Sequence, residues 1–330
     1  MNNNMNIIFV ISLPRSGSTL LQKMLSANPE VASSAEPWIM LPFWGMRREG
    51  AARAVYFHHT AAEALNDFID NLTNGETVWE KAVGDYAMQL YTAAAAGKRI
   101  FLDKTPHYFL MVPMLRRVLP DASIIVLLRN PLAVLMSICT TFNRGRFMWH
   151  EYWIDWFEGH RCLAQAVREA GGRQVVVHYE DLVASPEDTL QRLCGDVGIE
   201  FLASMVSDYK AVALAGRMGD PTGVHRYAAV STDSIDKWQK FFDTTYRRRI
   251  AERMLRLLDP NDLETLGYPL QQLLDQLNST PPRAGIDLRS RLHRAIDSVF
   301  SSVDFRYLQA RWRARQNGVS HAYGYFRRNS

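Results

Sequence analysis

The residues best suited to chemistry sit where short apolar runs stop. Ile7 to Ile11 leads into Leu13-Pro14-Arg15-Ser16-Gly17-Ser18-Thr19-Leu20-Leu21, the pattern of a strand, a tight turn and a helix start. Backbone N–H groups at a helix N-terminus lack intrahelical acceptors and lie at the positive end of the macrodipole, so such a turn suits phosphate-like anions. Gly17 lets the main chain approach the anion, Ser18 and Thr19 add hydroxyl donors, and Arg15 adds a permanent charge. A second apolar run, Ser123 to Leu128, stops at Arg129-Asn130-Pro131. An arginine there stands at the carboxyl end of a strand, where open α/β sheets bind ligands, and Pro131 suits the first turn of a following helix. The first loop departs from the phosphate-binding pattern GxxxxGK[ST]: Ser12 stands five before Gly17, and Ser18 takes the lysine position. That departure disfavours a standard magnesium-dependent kinase or ATPase, and no metal site is implied.

Positioning these residues requires strands that alternate with helices. Runs at Ile7 to Ile11, Ile100 to Leu102, Ser123 to Leu128 and Gln174 to His178 read as strands, each followed by a helical segment. Continuously apolar strands such as Ile124 to Leu128 need cover on both faces, as in parallel sheets with right-handed crossovers. The expected fold is an α/β three-layer sandwich. Helices are predicted over 18–27, 61–72, 108–118, 131–142, 152–170, 186–198 and 245–258. The one at 186 carries Ser185 as cap, Pro186 in its first turn and Gly198 past its end.

A chain of 330 residues with 47% apolar and 22% charged residues has ordinary globular proportions, which excludes disordered and collagen-like classes. No repeat period appears, so solenoids and propellers are excluded too. Three scattered cysteines form neither a disulfide framework nor a zinc site, which points to an intracellular chain with reduced thiols. The N-terminal apolar run, broken by Pro14 and Arg15, is too short for a signal peptide or a membrane span, so a cytoplasmic location is expected. A net charge of +4 leans toward an anionic ligand without requiring nucleic acid.

With PRSGST at the first strand and RNP at the later one, followed by Ser137 eight residues after Arg129, the chain resembles the sulfotransferases that use 3′-phosphoadenosine 5′-phosphosulfate, PAPS. The resemblance covers roughly residues 6–268 and is closest to bacterial members and the tyrosylprotein branch. It implies a central, mainly parallel sheet with a P-loop-like nucleotide-binding core, and PAP as product. Carried over, Arg15, Ser16, Gly17, Ser18 and Thr19 would hold the 5′ end of the nucleotide, and Arg129 and Ser137 its 3′-phosphate. Tyr179, in Tyr179-Glu180-Asp181-Leu182, would lie near the adenine. The segment from Gly219 through Arg226 to Lys237 and Trp238 resembles a late loop that closes over the nucleotide, with Arg226 directed to the 3′-phosphate. In the tyrosylprotein branch a glutamate 21 residues after the loop arginine is the general base, which here is Glu36. Lys104, in Asp103-Lys104-Thr105-Pro106, resembles the catalytic lysine. Cytosolic members use a histidine two residues after their lysine. Pro106 occupies that position here, so His107 is the alternative base. Ser234 stands for the branch's late catalytic serine at a shifted spacing.

The implied reaction is in-line transfer of a sulfuryl group from PAPS to an acceptor hydroxyl, small-molecule or carrier-bound. Aromatic stretches at Trp38 to Trp44, Tyr56 to His59 and Phe147 to Phe157 are expected to line the acceptor pocket and favour an aromatic, lipid-like or acyl acceptor. Two other classes stay open: a P-loop-like small-molecule kinase using ATP and magnesium, and a catalytically silent nucleotide-binding protein. Asn278 to Pro282 reads as a linker, dividing a catalytic domain at 1–278 from an extension at 279–330. There Leu288, Leu292, Ile296 and Phe300 recur every four residues beside Arg289, Arg291 and Arg294, a basic amphipathic helix. It would pack on the domain, or make a homodimer, carrier-protein or membrane-surface contact.

Overall fold

Side-chain alternation along the strands decides the architecture. The computed structural model describes residues 5–283 except 50, 53, 55, 144, 146, 148–151, 217–232 and 280, together with residue 292. Five strands, β1 (Asn6–Ser12), β2 (Val31–Ser33), β3 (Ile100–Asp103), β4 (Ser123–Leu128) and β5 (Gln174–His178), pair in the order β2-β3-β1-β4-β5. Every pairing is parallel. Successive strand residues point to opposite faces. Ile7, Phe9, Ile11, Phe101, Ile124 and Val126 therefore join one buried cluster, while Ile8, Val10, Ile100, Leu102, Ile125 and Leu127 join another. Two apolar clusters on either side of one parallel sheet make the three-layer α/β sandwich expected from the sequence.

The crossovers are mostly helical. Helices at Ser18–Ser26, His58–Asp70, Pro131–Phe142, Pro186–Val197 and Thr245–Arg256 lie within a few residues of their predicted spans. Two predicted helices are subdivided. The stretch from Tyr108 begins as a 3₁₀ turn, Pro106–Met111, and becomes α-helical only over Val112–Val118, because Pro113 supplies no N–H to carry an α ladder through. The stretch from Tyr152 contains a π turn at Ile154–Glu158 before the helix Gly159–Arg168.

Several elements were not anticipated. They are β2 and the helices Leu41–Met46, Gly75–Ala95, Tyr179–Ala184, Ser204–Ser207, Asp233–Phe241, Pro260–Thr265 and Leu270–Asn278. The last two, with Thr245–Arg256, bury Met254, Leu255, Leu263, Leu273 and Leu277 against Leu132 and Leu135, forming a third apolar cluster outside the helix Pro131–Phe142.

Topology then fixes where a ligand can bind. The chain leaves β1 toward β2 on one side and leaves β4 toward β5 on the other, so the strand order reverses between β1 and β4. The crevice of a parallel sheet opens at such a point, outside the carboxyl ends of its strands.

Candidate functional site

Each strand delivers a polar segment to that crevice. After β1 the turn reverses with Arg15 at φ 69° and Gly17 at φ 91°, and the helix Ser18–Ser26 starts with no side-chain cap on its first N–H groups. A left-handed arginine is uncommon, and strain of this kind gathers where ligands are gripped. Gly17 is required twice over: its φ disfavours any L side chain, and an added Cβ would lie 2.3 Å from the ring of Tyr179. Tyr179, at the end of β5, is buried, and its ring also carries the Arg129 guanidinium at 4.2 Å. Arg129 donates to the Arg15 carbonyl at 2.8 Å, while Arg15 Nε donates to Ser137 Oγ at 3.2 Å. The arginines of the two loops thus form one cationic wall with Ser137 behind it.

The ends of β2 and β3 supply the opposite side. Lys104 Nζ lies 2.6 Å from Glu36 Oε1, with the lysine 2% and the glutamate 12% exposed in their side chains. Trp38 Nε1 donates to the other carboxylate oxygen at 3.2 Å, and Trp38 itself takes a left-handed φ of 57°. The Trp38 ring packs against His107, whose Nε2 is 3.1 Å from Asp155 Oδ1.

Beneath Lys104 lies Asp103, fully buried. Its carboxylate accepts from Tyr91 at 2.6 Å, Thr105 at 2.8 Å and Tyr108 at 3.1 Å. Burial pushes the Asp103 carboxyl up to about 6, against the lowering effect of those hydroxyls and of Lys104. The same burial and the Asp103 charge raise Tyr91 and Tyr108 well above the ordinary phenol range.

A cavity of about 220 Å³ is bounded by both sides, and Arg15, Gly17, Ser18, Thr19, Glu36, Trp38, Lys104, His107, Arg129, Phe142, Tyr152 and Asp155 line it. Glu36, Lys104 and His107, read from distant segments, therefore share one cavity with the anion loop. Ser16 is buried in the turn, and Ser137 and Tyr179 stand behind the wall. Lys237 is exposed and Trp238 is buried in the third apolar cluster, so neither lines the cavity. Arg226 lies outside the described residues, as does the side chain of Ser234, whose backbone falls in the helix Asp233–Phe241. Of the three aromatic stretches, Trp38 and Tyr152 reach the cavity, whereas Trp156 is core and Tyr56 and Phe57 face outward.

Asp103, Asp155 and Phe142 were not anticipated at the site. Asp103 was legible as the acid closing the apolar strand Ile100 to Leu102, and Asp155 as the acid interrupting the run from Tyr152 to Phe157. Phe142 reaches the cavity by ending the helix that begins at Pro131, with the Arg15 guanidinium 5.7 Å from its ring.

Comparison with known proteins places the fold in a family. Residues 7–203 match the sulfotransferase family, and the chain belongs to it. It is 30% identical over 301 residues to nodulation protein NoeE of Sinorhizobium fredii, covering 79% of this chain and 66% of that protein. It is 21% identical over 245 residues to protein-tyrosine sulfotransferase 1 of Danio rerio, covering 72% of this chain and 66% of that one. The chain thus spans just under two thirds of each relative. Among solved structures, the sulfotransferase domain from the curacin biosynthetic pathway superposes with a TM-score of 0.51 at 21% identity, over 76% of this chain and 97% of that one, a likeness of fold.

Proposed function

We propose that the chain transfers a sulfuryl group from PAPS to an acceptor hydroxyl and releases PAP. The observation that carries this reading is the meeting, in one cavity, of the anion loop 15–19, Arg129 and the buried Lys104–Glu36 pair. The residues fit a nucleotide with phosphates at both ends. Uncapped N–H groups and hydroxyls of Ser18 and Thr19 suit the 5′ end, and the cradle at Gly17 has no room for a Cβ. Arg129, with Ser137 bonded to the neighbouring Arg15, suits the 3′-phosphate, and Tyr179 offers its ring near the base.

PAPS supplies an activated sulfuryl group when bound. The remaining work falls to the chain's own side chains. Glu36 removes the acceptor proton, and general-base action of this kind is worth roughly 10² to 10⁴ in rate. Arg15 and Lys104 hold positive charge ready beside the 5′ end, where preorganised donors are worth about 10² to 10³ each. His107 with Asp155 is the alternative base in the same cavity. Trp38, Phe142 and Tyr152 favour an acceptor with an apolar or aromatic body.

The test is consumption of radiolabelled PAPS against a panel of phenolic, lipid-like and acyl hydroxyls, in wild type, Glu36→Gln and His107→Ala. Loss of turnover in Glu36→Gln with PAP binding intact is expected. Loss in His107→Ala alone would transfer the base role to His107.

A further inference from the structure

The catalytic lysine and base sit on different strand ends, β3 and β2, and something must hold the two loops in register. We infer that the buried Asp103 is a positioning residue whose carboxylate, acting through the hydroxyls of Thr105 and Tyr108, fixes the loop that carries Glu36 and Trp38. This inference rests on the sulfotransferase reading above for the meaning of Glu36, and on geometry for the relay itself.

The hydrogen bonds run in one direction. An ionised carboxylate only accepts, so each hydroxyl facing it must point its proton inward. Thr105 donates to Asp103 Oδ1 and accepts the Trp38 N–H at 3.4 Å. Tyr108 donates to Asp103 Oδ2 and accepts the Met40 N–H at 3.1 Å. Tyr91, from the helix Gly75–Ala95, fills the remaining place on Oδ2. Asp103, Thr105, Tyr91 and Tyr108 are all at or below 1% exposure, so water does not compete for these bonds.

The consequence falls on Trp38. Its backbone is held in a left-handed conformation that an aromatic residue rarely adopts, and its indole fixes Glu36 Oε2. Lys104, between Asp103 and Thr105, fixes Glu36 Oε1. One buried charge thereby sets both partners of the Glu36 carboxylate. Small displacements of a reacting group cost rate far more than they cost binding.

Thr105→Val keeps the side chain's shape and deletes both of its bonds, while Thr105→Ser keeps them. Sulfuryl exchange between PAP and p-nitrophenyl sulfate provides kcat and KM, and amide hydrogen exchange at Trp38 reports the relay without turnover. The expected result is a kcat about 10- to 100-fold lower in Thr105→Val, with KM for PAP unchanged, Trp38 exchange accelerated, and both restored in Thr105→Ser. Equal kcat, or equal Trp38 exchange, in the valine and serine variants would overturn the relay. So would a parallel loss of kcat and PAP affinity, the mark of general structural damage. If wild type neither binds PAP nor exchanges sulfuryl groups, the sulfotransferase reading fails, while Trp38 exchange still decides the relay.

Discussion

Gly17 combines a positive φ with a Cβ position already filled by a neighbouring ring. Gly17→Ala forces an L residue to φ near 91° and drives its Cβ into the Tyr179 ring, which also supports Arg129. The left-handed conformation alone costs about 1–2 kcal/mol, and displacement of Tyr179 disturbs the arginine wall as well. The expected outcome is a lowered melting temperature and a PAP affinity reduced at least tenfold, both readable in one thermal titration. Glu36→Gln has a cost of its own, because it leaves Lys104 buried without a charged partner, a loss worth about 3–5 kcal/mol for a fully broken pair. The glutamine still accepts a hydrogen bond, so chemical denaturation should show a smaller but definite loss beside the loss of turnover.

Two buried groups give the chain an unusual pH response. Asp103 has an ordinary value of 3.8 and a folded value near 6, so its favourable contribution is greatest at low pH and fades as pH rises through that window, by ~3 kcal/mol. His160, bonded to the Trp156 carbonyl, moves the opposite way: desolvation lowers it from 6.5 to about 4, so stability is lost as pH falls through that range, again by ~3 kcal/mol. The two slopes oppose each other between pH 4 and 6. Asp103→Asn should therefore show stability rising more steeply with pH there than wild type does, measured by urea unfolding at several pH values. A wild-type-minus-variant difference that stays constant across the window would contradict the assignment.

Among the elements, those with strong local signals were legible and those made by tertiary packing were not. Ser123 to Leu128 is apolar at every strand position but the first, and the helix after it is marked by Pro131 and capped by Asn130 Oδ1 on the Leu132 N–H at 2.9 Å. β2 is only three residues long and gains its place from pairing with β3, which no local pattern announces. The helix Gly75–Ala95 buries Val83, Ala87, Tyr91 and Ala95, a four-residue period of mixed and small side chains rather than a bold apolar stripe. Small size matters there, since a Cβ on Gly84 would lie 2.3 Å from the Val118 carbonyl oxygen. Gly84→Ala should thus push the helix from its neighbour and destabilise the chain by about 1–3 kcal/mol, despite alanine's better helix propensity, as differential scanning calorimetry would report. Of the candidate site, the loop 15–19 and Arg129 were legible because each follows a visible strand. The pairing of Asp103 with Tyr91 and of Asp155 with His107 was not, because each joins side chains from separate elements that only the tertiary fold brings together.

At the scale of the whole molecule, one parallel sheet gathers residues from five chain segments into a single crevice. Among the described residues no helix is long and apolar enough to cross a membrane. Past the division expected after residue 278, the Arg283 N–H donates to the Asp243 carbonyl at 2.7 Å, beside the start of the helix Thr245–Arg256. Most of the basic extension, including Leu288, Ile296 and Phe300, lies outside the described residues, and its contact with a second copy or a carrier protein stands as a proposal. If the crevice between β1 and β4 binds PAPS, PAP stabilises the fold against heat where ATP with magnesium does not, a comparison made in wild type and Arg129→Ala. At about 100 times its Kd, PAP should add roughly 2.7 kcal/mol of stability to wild type. A melting shift with PAP alone that Arg129→Ala abolishes is expected; no shift with PAP, or a shift only with ATP and magnesium, would rule out a PAPS site there.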